Sequence, residues 1–414
     1  ISNENFFTPA RNYLNHLKLR LSWGQLGNQA GIGLYDHYQY INIGGTYPFG
    51  NSNNPLKVPN ASLGAMPAVD RTWETIETYN AGIDFATLNN RLSGTFDYFI
   101  KDNKNMFYAE EFPTILGTSA PSINGAHVRT NGWELTLNWK DKIGKVGYRI
   151  GLNLSDNKTK VISLSDSRNP GHGLMGFVEG YPTNSFFIYE FDGFIKDEAD
   201  LADYKTKMKG GVPTNLRVGD AKYVDKDGDG VLEPTLYKEG DPNSGDIVYK
   251  GTNNQRYLYG INLGLDWKGI DISAFLQGVG KWDCINGTYA GGGEVWKQSS
   301  QYFYHNTWSP DRPNAEYPRL TQDGGIHGYN YQWSDAPYKF FNNRYLRLKE
   351  VQIGYTFPTT LTKKIGVEKL RVYATGMNLL EWDNLPNGFD PEAPYTENLI
   401  PFSRTYSIGV NVQF

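Results

Sequence analysis

The sequence contains very little cysteine, no strong excess of charge of either sign and no long apolar run. Its one cysteine, Cys284, excludes an intrachain disulfide framework and a zinc site built from cysteines. With 40 Lys and Arg against 44 Asp and Glu, the net charge of −4 lacks the basic character of a nucleic-acid-binding protein. No stretch of about 18 consecutive apolar residues occurs, so the sequence predicts no membrane-spanning helix.

Aromatic residues and glycine are abundant instead. The 414 residues include 29 Tyr, 21 Phe, 10 Trp and 46 Gly, and only 20% are charged, which excludes a disordered acidic chain. The length fits either two to three domains or one large β architecture. The sequence shows no signal peptide at Ile1, and we expect it to be a fragment or a trimmed product.

Apolar and polar residues alternate with period two in ten segments. In the first segment, Leu17, Leu19 and Leu21 share one face with Trp23. About ten residues are enough for a tilted strand to cross a bilayer, whereas strands of soluble proteins usually have five or six. A change of phase near Lys349–Glu350 predicts a β-bulge. The predicted strands are 13–24, 76–87, 91–101, 128–139, 146–157, 256–267, 270–280, 344–357, 368–380 and 403–414.

The connections between these strands alternate between long and short. The longest, 158–255 and 281–343, are separated by the short turn at 268–269. Short turns on one side and long loops on the other are typical of a transmembrane antiparallel β-barrel. A β-sandwich or a propeller is the alternative, and the ten strands could close a small barrel or form part of a larger one.

The alternation also predicts which side chains face which environment. We expect one set to face lipid, namely Tyr79, Phe85, Trp133, Leu137, Tyr259 and Leu263. The polar set should face the lumen, namely Asn80, Asp84, Glu134, Asn138 and Asp266. A charged side chain costs about 2–4 kcal/mol at the bilayer midplane, which enforces this division.

Several stretches resemble the SusC/RagA-like TonB-dependent transporters of the Bacteroidetes outer membrane. They occur in the family's order and cover essentially the whole chain, beginning with LKLRLSWGQLGNQ at 17–29 and NGWELTLNW at 131–139. The C-terminal part adds RYLRLKEVQIGYTFP at 344–358, GFDPE at 388–392 and FSRTYSIGVNVQF at 402–414.

The resemblance implies the C-terminal portion of a barrel of about 22 strands, with the plug domain absent from this chain. It implies TonB-dependent import of oligomeric nutrients, either glycans or oligopeptides, across the bacterial outer membrane. A SusD-like surface lipoprotein, TonB acting through the missing N-terminal part, and outer-membrane lipid are the implied partners. The alternative is a cell-surface adhesin or carbohydrate-binding β protein without transport, which would not require the alternation of loop lengths.

An acidic segment at Asp225, Asp227 and Asp229 matches the first half of a calcium-binding loop. The backbone carbonyl of Val231 and the side chain of Glu233 are further candidate ligands. Position twelve is Leu236 rather than the bidentate glutamate, so we expect a weak, structural Ca²⁺ site. A solvated acidic turn is the alternative.

The long loops are rich in aromatic residues, which can stack on sugars or anchor a protein partner. We expect Trp282, Trp296, Tyr302 and Trp333 to form part of a recognition surface, with packing inside the loops as the alternative. Loops 158–255 and 281–343 are expected to lie outside the cell and to contact the lipoprotein.

The final strand carries a candidate signal for barrel assembly. Tyr406 and Phe414 are its proposed determinants, because the resembled class ends in an aromatic residue on an alternating strand. No catalytic constellation is predicted: the histidines form no HExxH motif, and no spacing fixes a pair among the many carboxylates. We therefore predict that the protein is not an enzyme.

Overall fold

The computed structural model describes residues 1–2, 4–11, 13–50, 56–64, 66–67, 70–109, 115, 117–118, 121–165, 170–285, 305–385, 390–392 and 402–414. The strands in these ranges are β1 Leu14–Asn28, β2 Ile41–Phe49, β3 Leu56–Leu63, β4 Glu74–Thr87, β5 Leu92–Ala109, β6 Ser122–Ile143, β7 Val146–Leu164, β8 Gly173–Met175, β9 Ser185–Tyr189, β10 Phe191–Phe194, β11 Ala221–Tyr223, β12 Ile247–Thr252, β13 Arg256–Trp267, β14 Ile270–Lys281, β15 Asp283–Ile285, β16 Phe340–Asn342, β17 Tyr345–Thr356, β18 Lys369–Asp383 and β19 Thr405–Gln413.

Helices are few and short in the ranges that the structure describes. They are α1 Glu198–Lys207, α2 Gly324–Asn330 and α3 Thr359–Thr362, with 3₁₀ turns at Asn5–Ala10 and Lys363–Ile365. None of the helices in the described ranges has the length and apolar character that crossing a membrane would require.

Ten strands form one antiparallel sheet, here called the main sheet. Its order is β1-β4-β5-β6-β7-β13-β14-β17-β18-β19, so each strand pairs with the sheet strand that precedes or follows it in the chain. These are the ten strands that the alternation predicts. The connections alternate as expected, and the two longest are 165–255 and 282–344.

The predicted bulge lies at Lys349. On one side Phe275 pairs with Glu350 and Leu276 with Leu348, which leaves Lys349 without an opposite residue. The ladder to β18 skips the same residue. Because side chains alternate with period two, this extra residue returns Leu348 and Val351 to the same face of the sheet.

The register aligns the apolar side chains of neighbouring strands on one face. Leu265 lies opposite Ile272, and Ile272 lies opposite Ile353. Tyr79 and Leu263 remain 47% and 40% exposed there. The predicted division of the two sets between opposite faces is confirmed.

The other face of the main sheet carries the polar set. Arg20 binds Asp84 at 2.8 Å and Asp97 at 2.7 Å. Asp266 lies opposite Gly147, whose added Cβ would come within 2.2 Å of the Asp266 carboxylate. Glycine at 147 therefore makes room for a charged side chain from the neighbouring strand.

The described parts of connections 165–255 and 282–344 fold against each other into a compact unit, here called the loop domain. Its sheets are β8-β9-β12, β10-β11 and β15-β16. The N–H of Tyr189 donates to the carbonyl of Trp333 at 3.0 Å and joins the two connections. Phe187, Ile195 and Ile247 are fully buried in their shared core, which also contains Ile326.

Candidate functional site

The acidic segment lies on the surface of the loop domain and wraps tightly around its own carboxylates. Asp225 accepts hydrogen bonds from the N–H groups of Gly228 and Gly230, both at 2.8 Å. Gly228 and Gly230 have φ values of +82° and +87°, which favour glycine. A Cβ on Gly230 would come within 2.7 Å of the carbonyl oxygen of Lys207, so a larger residue would not fit.

This wrapping brings three of the predicted ligands together. Carboxylate oxygens of Asp225, Asp227 and Asp229 all lie within 4.8 Å of one another. Three carboxylates this close repel one another unless a cation lies between them, and an all-oxygen set suits Ca²⁺. The residues present therefore fit a calcium ion.

Glu233 and Val231 take other positions. Glu233 is not in the group of converging carboxylates, and its side chain is exposed. Val231 pairs with Gly210 in a parallel bridge, and its N–H donates to Asp229 at 2.6 Å. The role of both residues as ligands stays a prediction.

Asp246 supports the acidic segment and was missed by the sequence reasoning. It is fully buried, and its two oxygens accept the N–H groups of Lys226 and Glu233 at opposite ends of the segment. Burial raises the pKa of Asp246, and the negative charges of Asp227 and Asp225 raise it further. A cation held by the segment would offset this repulsion.

Many of the described aromatic side chains of the loop domain face inward. Trp282 is 9% exposed, packs with Val279 and Tyr345, and donates from Nε1 to Asn253 at 2.7 Å. The expectation that Trp282 lies on a recognition surface is wrong for this structure, because packing and a buried hydrogen bond occupy its ring. Trp333 is half-buried and packs against the cluster of Phe186, Ile188 and Ile285.

Trp296 and Tyr302 lie outside the described residues. Their predicted part in recognition stays a prediction.

Buried tyrosines hold the two connections of the loop domain together. The hydroxyls of Tyr204 and Tyr329 lie 2.8 Å apart. Tyr223 donates to the carbonyls of Tyr329 and Asn330, and Tyr338 donates to Asn330 at 2.7 Å. Burial raises the pKa of Tyr329 and Tyr338, so both hydroxyls stay protonated.

The polar face of the main sheet contains a shallow groove of about 480 Å³. Hydroxyl, amide and carboxylate groups line it, from Glu134, Thr136, Asn153 and Gln277. Thr136 donates to Asn153 at 3.0 Å across the β6–β7 ladder. Such groups can hydrogen-bond sugar hydroxyls or peptide amides equally well.

Arg347 forms the most deeply buried ion-pair network of the described residues. It is 1% exposed and binds Asp390 at 2.7 Å, with Glu392 and Glu381 at 2.8 Å each. Asp390 and Glu392 belong to the connection between β18 and β19. This network therefore fixes that connection against strand β17.

The residues of the proposed assembly signal lie at the edge of the main sheet. Tyr406 and Phe414 are 74% and 88% exposed, and within the described residues β19 pairs only with β18. Their role in assembly stays a prediction.

Comparison with known proteins identifies relatives of one kind. No family model matches the chain. The chain is 25% identical, over its whole length, to TonB-dependent receptor P26 of Formosa agariphila and covers 41% of that protein. It is 26% identical to TonB-dependent receptor SusC of Bacteroides thetaiotaomicron, again over its whole length and 39% of the relative.

The structure also matches a solved transporter. The RagAB peptide importer in its closed-closed state aligns with a TM-score of 0.73 and 23% identity, over 99% of this chain and 42% of that one. The main sheet thus corresponds to part of a transmembrane antiparallel β-barrel. The chain spans about two fifths of the length of the relatives it matches. By these comparisons the chain is similar, over about two fifths of their length, to TonB-dependent receptors of the SusC/RagA kind.

Proposed function

We propose that this chain forms part of an outer-membrane importer that takes up oligomeric nutrients with energy delivered through TonB. The observation that carries the proposal is the ten-strand meander, with one apolar and one polar face, in a chain related to TonB-dependent receptors. The apolar face, including Tyr79 and Leu263, would contact lipid. The polar face would line the path of the substrate.

The groove around Glu134 and Gln277 is the surface that we propose contacts the substrate. Its mixed donors and acceptors suit a glycan or an oligopeptide, and SusC and the RagAB peptide importer are both relatives. Glu134→Gln would keep the shape while removing the charge. Reduced uptake of cationic oligopeptides, with neutral glycans unaffected, would favour a peptide substrate.

Uptake by whole cells tests the proposed function. Cells producing the protein should accumulate labelled oligopeptides or oligosaccharides, and an uncoupler of the proton gradient should abolish accumulation without abolishing surface binding. Binding without energy-dependent uptake would instead support an adhesin or carbohydrate-binding protein. Lys57→Gln is the matched control for Glu134→Gln in the uptake measurement, because Lys57 lies on the exposed strand β3 and is remote in sequence from the groove.

We further propose that a SusD-like lipoprotein covers the end of the main sheet where the long connections, including the loop domain, lie. Large apolar side chains remain exposed in the connections on that side, for example Ile43 at 81% and Leu320 at 43%. Exposed apolar patches of this kind often mark protein interfaces. Ile43→Asp should reduce co-purification of the lipoprotein, whereas Lys57→Gln on the same hairpin should not.

The acidic segment is proposed to bind one calcium ion that orders the surface of the loop domain. The convergence of Asp225, Asp227 and Asp229 supports it, and the missing bidentate glutamate suggests a weak site, with Kd on the order of 10⁻⁴–10⁻³ M. Calorimetric titration of the apo protein tests it. An absence of calcium binding at millimolar concentration would leave a solvated acidic turn.

A further inference from the structure

A group of basic side chains lies on the apolar face of the main sheet, just beyond its aromatic residues. Tyr98 pairs with Trp133, and Trp133 pairs with Asp156. Further along the same strands, toward the loop domain, Arg129 lies directly opposite Lys160. Because side chains alternate, Arg129 shares the face of Trp133, and Lys160 shares the face of Asp156.

Lys158 belongs to the same group, here called the basic group: Arg129, Lys158 and Lys160. Lys158 lies between Asp156 and Lys160 on that face and opposite Asn131. Both lysines are exposed. At about 3.3 Å per residue, they lie roughly 7 and 13 Å beyond the row of Trp133 along the strand.

The acidic side chains near the basic group already have cationic partners. Asp102 is 3% exposed and accepts both Arg129, at 2.8 and 3.0 Å, and His127, at 2.8 Å. Asp156 pairs with Arg256.

Among the described residues, neither Lys158 nor Lys160 has a carboxylate within 4 Å. Lys158 and Lys160 lie two positions apart on the same face, and Lys160 also lies opposite Arg129, whose charge Asp102 already balances. Like charges this close on one face disfavour each other. An anion between these side chains would remove that cost.

The position of the basic group in the sheet identifies the anion. Aromatic residues such as Tyr98 and Trp133 mark the boundary between hydrocarbon and headgroups in a transmembrane barrel. The headgroup region extends about 5–8 Å beyond that boundary on each side. A strand tilted by about 40° brings the backbone of Lys158 and Lys160 to roughly 5 and 10 Å above it. Lys158 therefore lies at the level of the headgroups, and Lys160 lies just above them, where its long side chain can reach back to them.

We propose that Lys158 and Lys160, beside Arg129, bind the phosphate groups of an anionic glycolipid in the leaflet on the loop-domain side. This inference rests on the proposed outer-membrane location, where that leaflet faces the exterior. Clustered lysines and arginines next to a membrane-spanning segment are the usual recognition element for anionic lipids. The aromatic row beneath them would contact the acyl chains.

Native mass spectrometry of the protein that carries this chain, purified in detergent, tests the proposal. The probes are a diphosphorylated glycolipid, the same lipid after enzymatic dephosphorylation, and inorganic phosphate. We expect the diphosphorylated lipid to bind at least tenfold more tightly than the dephosphorylated one. The double variant Lys158→Gln/Lys160→Gln should bind it about thirtyfold more weakly than the unmodified protein.

Lys101→Gln is the matched control. Lys101 pairs with Thr130, next to Arg129 in the chain but on the opposite face of the sheet, and it is exposed. Its removal should leave lipid binding unchanged. Equal affinity for both lipids, equal affinity of the double variant, or full competition by millimolar inorganic phosphate would each overturn the proposal.

Two further measurements separate this inference from the proposed function. Absence of the protein from the outer-membrane fraction would refute the proposed function. Normal fractionation and uptake, without selectivity for the phosphorylated lipid, would refute only the lipid site.

Discussion

Replacing Arg347 by Met should release the connection between β18 and β19. The substitution keeps the length of the side chain and removes its charge. Asp390, 5% exposed at its side chain, would then lose the cation that balances it, whereas Glu392 would keep its ion pair with Lys349 at 2.8 Å. Breaking a buried ion pair by removing one partner costs about 3–5 kcal/mol.

The lower end of this range applies here, because Glu381 is 38% exposed and contributes little. Asp390 also accepts the N–H groups of Glu392 and Phe402, at 2.9 Å each, so its displacement would free both amides. A loss of about 3 kcal/mol corresponds to roughly a hundredfold faster hydrogen exchange at these two amides.

Hydrogen exchange followed by mass spectrometry, on peptides covering Glu392 and Phe402, measures this effect. Arg404→Met is the matched control, since Arg404 is 57% exposed and lies 3.9 Å from Glu381. It should change exchange by less than about threefold. Unchanged exchange in Arg347→Met, or an equal change in the control, would refute the reasoning.

Acid should weaken the same network. Burial acts to raise the pKa of Asp390, but hydrogen bonds from Phe402 and Glu392 and the ion pair with Arg347 outweigh it and lower the pKa. The stabilisation of the folded state by ionised Asp390 is therefore fully present above the pKa of an unfolded aspartate, about 3.9. It is lost as the pH falls through the lower pKa that Asp390 has in the folded protein. Exchange at the two amides should stay constant from pH 5 to 8, after correction for intrinsic rates.

Three other predictions concern the acidic segment, a buried lysine and the C-terminal strand. Calcium at ten times its Kd should stabilise the loop domain by about 1.4 kcal/mol, and calorimetry should find this gain lost in Asp227→Asn but kept in the exposed control Asp203→Asn. Burial lowers the pKa of Lys339 to about 8. Stability should therefore rise with pH from about 8 to 10.4, where the unfolded state binds the extra proton, and thermal melts of Lys339→Met should lack that rise. Deleting Phe414 should reduce the heat-modifiable, folded form in outer membranes, and normal folded levels would contradict its role in assembly.

The main sheet could be predicted because its information is local. Each strand alternates over more than ten residues, and a change of phase such as that at Lys349 has only one local explanation. Short turns such as 268–269 then specify which strands pair.

The loop domain could not be predicted because its contacts join distant residues. Tyr204 and Tyr329, whose hydroxyls are hydrogen-bonded, are separated by 125 positions. An aromatic residue in a long loop has the same sequence signature whether it is exposed for recognition or buried with its hydroxyl satisfied. For that reason the sequence predicts a surface position for Trp282, whereas the structure buries it.

The acidic segment depends both on a local sequence pattern and on contacts between residues that are distant in the sequence. Asp225, Asp227 and Asp229 follow a local pattern that sequence can identify, but Asp246 and Leu236 show how the segment is built into the domain. Leu236 occupies the position where a complete calcium loop has its bidentate glutamate, and its side chain is 6% exposed in the same core as Ile247. That position therefore contributes apolar burial instead of an ion ligand. A calcium ion held by the first half of the segment would order backbone that leads directly into the core, so the proposed ion would act on the packing of the loop domain and not on catalysis.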